Sequence, residues 1–134
     1  MTRELSMLAW SSIFCALMWS PYILARIQAW GLIDTVGYPR NPPPVPDWAL
    51  RAQKAHANMV ENLAPFAAIV LIAHVADVHN GATELGAMLF VLGRIVHYPA
   101  YIAALPWVRT LAFAVAWFGT VLIFVQLYDA PIGM

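Results

Sequence analysis

Four long apolar segments, separated by polar or proline-rich connections, constrain the fold of this chain more than any other feature. Residues 5–25 and 111–128 carry no formal charge, and residues 62–76 and 85–105 contain only a few polar side chains. A helix needs about 20 mostly apolar residues to cross a bilayer. The sequence therefore predicts four membrane-spanning helices, at about 4–29, 47–78, 82–104 and 106–128.

The charge content agrees with a membrane protein. Only 10% of the residues are charged, whereas soluble domains carry about 25%. This deficit excludes a disordered chain, an ordinary soluble enzyme and a nucleic-acid-binding module. The net charge is zero, so it indicates no acidic or basic partner, and the single cysteine, Cys15, excludes an intrachain disulfide and a thiolate metal cluster. We predict an all-α integral membrane four-helix bundle with one domain, 1–134.

The connections contain residues that stop helices. The stretch 37–47 is proline-rich, and prolines lack the amide hydrogen that a continuing helix needs. Asp47 is predicted to cap the second span, and Pro106 suits the first turn of the fourth. The first segment is predicted to be a retained helix and not a signal peptide. Its apolar core is longer than the apolar core of a signal peptide, which has about 7–15 residues.

The distribution of basic residues predicts the orientation. With four spans, the loop at 30–46 and the turn at 105–108 lie on one side of the membrane, and most Lys and Arg residues cluster there. An excess of Lys and Arg marks the cytoplasmic side. We therefore expect the first loop in the cytoplasm, both termini outside, and membrane lipids around the spans.

Polar side chains of the spans lie at one membrane depth. In the second span, Arg51, Lys54, Asn58 and Glu61 follow helical spacing along one stripe, and Arg94, His97 and Tyr101 form another stripe in the third. Polar stripes at this depth must face each other, another subunit or a water-filled cavity. The opposite leaflet is expected to be nearly bare of polar groups.

Two interpretations of these stripes remain open. Glu61 could form a structural ion pair with Arg51 or Arg94. However, Glu61 is the one carboxylate at a depth that holds five cations, so an anionic ligand such as a lipid head group or a soluble carboxylate could neutralise the excess. The five cations are Arg26, Arg51, Lys54, Arg94 and Arg109. No metal site is predicted, because His74 and His79 fall on different helix faces.

Three motifs at these positions resemble the membrane-associated proteins in eicosanoid and glutathione metabolism, the MAPEG family, which includes microsomal glutathione transferases. The first is the segment 51–66, with an Arg, then Ala-His-x-Asn-x-x-Glu, and a final Pro-Phe. The second is Arg-x-x-His-x-x-x-Tyr at 94–101, and the third is Arg109. The four spans and the long first loop are also similar to the family over the whole chain.

The resemblance implies a homotrimer that binds glutathione as a co-substrate between neighbouring subunits, in the cytoplasmic leaflet. It implies that Asn58 and Glu61 contact the peptide backbone and amino group of glutathione, that His97 and Tyr101 line the pocket, and that Arg109 is the catalytic residue facing the sulfur. The implied glutathione-binding residues are Arg26, Arg51, Lys54, Asn58, Glu61, Arg94, His97 and Tyr101.

The chain departs from the family pattern at three positions. Lys54 stands where well-studied members carry an arginine, Ala57 where some carry another arginine, and Phe113 where some carry a tyrosine. An ammonium group supplies charge but loses the two-pronged contact that a guanidinium makes with a carboxylate.

The function implied is that of a glutathione-dependent transferase or peroxidase in a bacterial inner membrane, acting on a lipophilic electrophile or hydroperoxide. The alternative is a non-catalytic membrane protein whose cationic pocket binds a lipid or another anion. A small transporter subunit is a third possibility, but the sequence shows neither a broken helix nor an inverted repeat to support it.

Overall fold

The computed structural model describes residues 1–129, and its regular structure within that range is entirely α-helical. Four stretches are long and apolar enough to cross a membrane, as predicted. The first is formed by α1 and α2 together, and α4, α5 and α6 each form one of the others. The helices are α1 (Arg3–Leu17), α2 (Ser20–Trp30), α3 (Leu32–Val36), α4 (Asp47–Val75), α5 (Gly81–Ile102) and α6 (Pro106–Tyr128).

The first span is interrupted, which corrects the prediction of one continuous helix at 4–29. The interruption lies at Met18 and Trp19, between α1 and α2. Its cause is local, because Pro21 has no amide hydrogen to donate to the carbonyl of Leu17, four residues earlier. The hydroxyl of Ser20 donates to that carbonyl instead, at 2.8 Å.

The second and third spans are shorter at their C-terminal ends than the predicted 47–78 and 82–104. α4 ends at Val75 and α5 at Ile102, and a left-handed residue follows each of them, Asp77 with φ 55° and Ala104 with φ 57°. A left-handed residue directs the chain away from the helix axis and is a common helix ending. The predicted cap at Asp47 is also wrong, because Pro46 occupies the N-cap position and Asp47 is the first helical residue.

The fourth span, 106–128, has the predicted limits, with Pro106 in its first turn. The proline-rich stretch is non-helical, as expected. The short helix α3 was not predicted. The indole nitrogen of Trp30 donates to the carbonyl of Pro43 at 2.6 Å, which fastens this loop to the end of α2.

α5 and α6 pack closely because small residues line their contact. A Cβ atom added to Gly93 would lie 2.7 Å from the carbonyl oxygen of Ala112, a distance that real Cβ atoms do not adopt. Gly86 and Gly119 approach each other in the same way. Small residues at helix contacts let backbones approach within a membrane.

The core between α4 and α5 contains Phe66 and Phe90, whose rings stack with centroids 3.8 Å apart. Two ends of the bundle lie on either side of this stacked pair. The terminal end contains the start of α1, the α4–α5 connection and the end of α6, where Arg3 contacts Glu84 and Asn80 contacts Gln126. The opposite end, which we call the recess end because two adjoining cavities open there, contains the start of α4, the end of α5 and the start of α6.

Candidate functional site

The buried guanidinium of Arg94 lies at the centre of the polar residues of the recess end. Arg94 on α5 is only 2% exposed, and its Nη2 atom donates to the Oδ1 atom of Asn58 on α4 at 2.8 Å. Its Nε and Nη1 atoms have no hydrogen-bond partner among residues 1–129. The structure therefore places Arg94 behind Asn58.

A cavity of about 280 Å³ opens in front of Asn58, between α4, α5 and α6. Four residues predicted from the sequence line it, and Thr110 and Phe113 complete its wall. The predicted four are Asn58, His97, Tyr101 and Arg109.

The aromatic side chains organise this cavity. The imidazole of His97 lies with its centroid 5.5 Å from the ring of Tyr101, and the guanidinium carbon of Arg109 lies 5.0 Å from the centre of the same ring. A cation over an aromatic face is attracted by the ring quadrupole, so Tyr101 holds Arg109 at the cavity. Phe113 supplies no hydroxyl to this wall, in agreement with the departure noted in the sequence.

A second cavity of about 230 Å³ adjoins the first and shares Tyr101 and Arg109 with it. Arg51 lines this cavity, and its Nε atom donates to the carbonyl of Ile102 at 2.8 Å. We refer to the two adjoining cavities as the recess. Arg51 thus fastens the C-terminal end of α5 while it lines the recess.

Besides Arg94, which lies behind Asn58, three predicted binding residues lie outside the recess. Arg26 on α2 donates to Gln53 at 3.2 Å and lies over the ring of Trp30. Lys54 and Glu61 are exposed on α4 and line neither cavity. One subunit therefore brings together Asn58, Arg94, His97, Tyr101, Arg109 and Arg51, but not Arg26, Lys54 or Glu61.

The predicted ion pair of Glu61 with Arg51 or Arg94 is wrong within the described chain. The ion pairs among residues 1–129 join Arg3 with Glu84, and His79 with Glu4 and Asp77. No carboxylate therefore neutralises the arginines of the recess end in this part of the chain. Unpaired charge is costly at membrane depth, so the recess is suited to an anion.

Sequence reasoning missed two polar contacts. The hydroxyl of Tyr22 on α2 lies 2.8 Å from the Nδ1 atom of His56 on α4, and the hydroxyl of Thr83 donates to the buried carboxylate of Glu4. Both join residues that are distant in sequence. The pattern Asn80-x-x-Thr83 indicates the capping box at the start of α5, but it carries no signal for the contact between Thr83 and Glu4.

The same part of the chain, 1–129, contains no group of three His, Cys, Asp or Glu residues close enough to hold a metal ion. The recess offers nitrogen and oxygen donors of Arg, Asn, His and Tyr side chains, whereas the hydroxyl of Thr110 donates to the carbonyl of Pro106. Such donors bind carboxylates and carbonyl groups through hydrogen bonds.

Comparison with known proteins supports the resemblance. A model of the MAPEG family matches residues 7–128, which include the last three spans, the first span from Met7 onward and every residue of the recess. No curated protein and no solved structure matches the chain. Because the family match covers most of the 134 residues, the chain belongs to the MAPEG family of integral membrane proteins.

Proposed function

We propose that this protein is a glutathione-dependent transferase or peroxidase that acts on lipophilic electrophiles or hydroperoxides. One observation carries the proposal: Arg51 and Arg109 line a recess between three membrane-spanning helices, and no carboxylate of residues 1–129 pairs with them. Glutathione carries two carboxylates, one ammonium group and a thiol, so its net negative charge complements this surplus of cations. Family membership supports a glutathione-related or eicosanoid-related function in general.

The proposed chemistry requires a thiolate. A free thiol titrates near pH 8.5, and a neighbouring guanidinium raises the fraction that is ionised at neutral pH. Arg109 is the residue proposed to face the sulfur, and it lies in the first turn of α6, where the helix dipole also favours negative charge. The sulfur electron pair would form a bond to the electrophilic carbon while the leaving group departs with its own pair.

We also propose that the site is completed in a homotrimer. Arg26, Lys54 and Glu61 are implied as ligands by the family, but in one subunit they lie outside the recess. A neighbouring copy could place them against the ligand. We further propose a bacterial inner membrane as the location, with the first loop in the cytoplasm and the chain 1–134 as one domain.

A second candidate function is a non-catalytic protein that binds a lipid. The observation in its favour is a groove of about 340 Å³ between α1 and α5 whose exposed surface is wholly apolar. Trp10, Phe14 and Ile95 contribute to its wall. Ser11 and Arg94 also border the groove but add no exposed polar surface to it, so the groove suits an acyl chain.

Ultraviolet difference spectroscopy tests the enzymatic proposal. Adding glutathione to the purified protein is expected to produce a thiolate band at neutral pH, and the protein is expected to conjugate glutathione to an apolar chloronitrobenzene. Arg109→Ala should weaken the band far more than it weakens binding, because other cations hold the carboxylates. Asn58→Ala should reduce binding while the remaining bound thiol stays ionised. Failure of the intact protein to bind millimolar glutathione would favour the lipid-binding candidate.

A further inference from the structure

The hydrogen bond between Arg94 and Asn58 connects a buried cation to the wall of the recess. Arg94 is 2% exposed and lines neither cavity of the recess, whereas Asn58 lines the larger of the two. The Nη2 atom of Arg94 lies 2.8 Å from the Oδ1 atom of Asn58. Within one subunit, Arg94 therefore reaches a ligand in the recess only through Asn58.

The chemistry of the two groups fixes which way the amide of Asn58 points. A guanidinium donates hydrogen bonds and accepts none, so the atom of Asn58 that faces it must be the oxygen. The Nδ2 atom of Asn62 lies 3.5 Å from the same oxygen and is also a donor. The Nδ2 atom of Asn58 lies on the opposite side of the planar amide and makes no hydrogen bond with residues 1–129.

We propose that Arg94 is a positioning residue that holds Asn58 with its N–H groups directed at the recess. The amide of Asn58 then offers the recess donors only, and it selects an acceptor atom of the ligand, a carboxylate or carbonyl oxygen. This inference rests on the proposed binding of glutathione. Without Arg94, the amide can turn by half a rotation about χ2 and present its oxygen to the recess, where it repels a carboxylate.

Asn58→Asp gives the sharpest test, because it keeps an acceptor for Arg94 and replaces the N–H donor by a second oxygen. The variant is expected to fold, with a melting temperature at least equal to that of the intact protein, since a buried cation gains an ionised partner. Its Kd for glutathione should rise at least about tenfold, because one donor is lost. A comparable loss in Asn58→Ala would assign the effect to the donor. Equal affinity of Asn58→Asp and the intact protein would overturn the proposal.

A double-mutant cycle separates positioning from direct contact. Arg94→Met should weaken glutathione binding about tenfold in the intact background and not at all in the Asn58→Ala background. Arg94→Lys, which keeps a donor, should restore part of the affinity. Arg3→Met is the matched control at the terminal end and should leave the Kd unchanged. Additive losses from Arg94→Met and Asn58→Ala would show that Arg94 does not act through Asn58.

A ligand-free measurement separates this inference from the proposed function. In protein labelled with 15N-asparagine, the side-chain amide of Asn58, assigned by its absence in Asn58→Ala, should have a high order parameter. Arg94→Met should lower that order parameter. If the intact protein fails to bind glutathione, the proposed function fails, and the amide measurement still decides the orientation: equal order in the intact protein and in Arg94→Met overturns the inference.

Discussion

The charged groups at the two ends of the helix bundle have different kinds of partner. At the terminal end, the carboxylate of Glu4 is 3% exposed and accepts a hydrogen bond from Thr83. At the recess end, Arg51, Arg94 and Arg109 contact a carbonyl, an amide and an aromatic ring, respectively, and none of them pairs with a carboxylate of residues 1–129. The terminal end thus satisfies its buried carboxylate within the fold, whereas the arginines of the recess end have no carboxylate partner among residues 1–129, and we propose that a ligand supplies one.

The largest expected effect comes from removing the contact that completes the terminal end. Thr83→Val keeps the shape of the side chain but removes the donor to Glu4 and the acceptor for the amide of Asn80. The free energy of unfolding should fall by about 3 kcal/mol, because a buried carboxylate loses the hydroxyl that donates to it. Denaturation in mixed detergent, followed by circular dichroism, measures this change, and the Kd for glutathione should stay constant.

Thr120→Val is the matched control for this change. Its hydroxyl makes only a long bond, 3.4 Å, to the carbonyl of Ala116 one turn earlier in α6. Its cost should stay below about 0.5 kcal/mol. Equal losses in Thr83→Val and Thr120→Val would contradict the role given to the terminal end.

A smaller effect is expected from the cap of α5. The side chain of Asn80 accepts from the amides of Ala82 and Thr83. Asn80→Ala should lower the free energy of unfolding by about 1 kcal/mol, the usual cost of losing an N-cap. The same denaturation measurement applies, with Asn41→Ala in the exposed loop as the control. If Asn80→Ala changed the free energy of glutathione binding more than the free energy of unfolding, the terminal end and the recess end would be coupled.

The smallest effect on stability is expected at Glu61. This carboxylate is exposed and has no ion pair among residues 1–129, in contrast to the buried Glu4. Glu61→Gln should change the free energy of unfolding by less than about 0.5 kcal/mol. Glutathione affinity should fall if Glu61 contacts the amino group of a bound ligand. A large loss of stability instead would mean that Glu61 is paired in the assembled protein.

Much of the fold could be predicted because apolar length and proline placement are local signals. The fourth span has its predicted limits, since Pro106 begins it and apolar residues continue to Tyr128. The interruption of the first span depends on Pro21. The break was not predicted, because the residues on both sides of Pro21 are apolar and were assigned to one continuous helix. Helix C-terminal ends were predicted less well because left-handed residues such as Asp77 and Ala104 are not glycines.

The candidate site could be predicted only in part. Helical spacing placed Asn58, His97 and Tyr101 on two polar stripes, membrane depth added Arg109, and the structure brings these four residues to one cavity. It could not distinguish a residue that lines the recess from one behind it, as the burial of Arg94 shows. The sequence also predicted few polar groups within the membrane at the terminal end. It missed the contact between Glu4 and Thr83 because these residues are 79 positions apart in the sequence. Such contacts follow from the relative placement of helices, which a pattern along one helix does not contain.

The central claim is that the recess end binds an anionic thiol, and thermal unfolding in detergent tests it most directly. The melting temperature should rise with added glutathione, since a ligand that binds the folded state stabilises it by about 2.7 kcal/mol at 100 times its Kd. Glutathione diethyl ester, which lacks both carboxylate charges, should produce little or no rise at the same concentration. An equal rise with the ester, or no rise with millimolar glutathione, would contradict the claim.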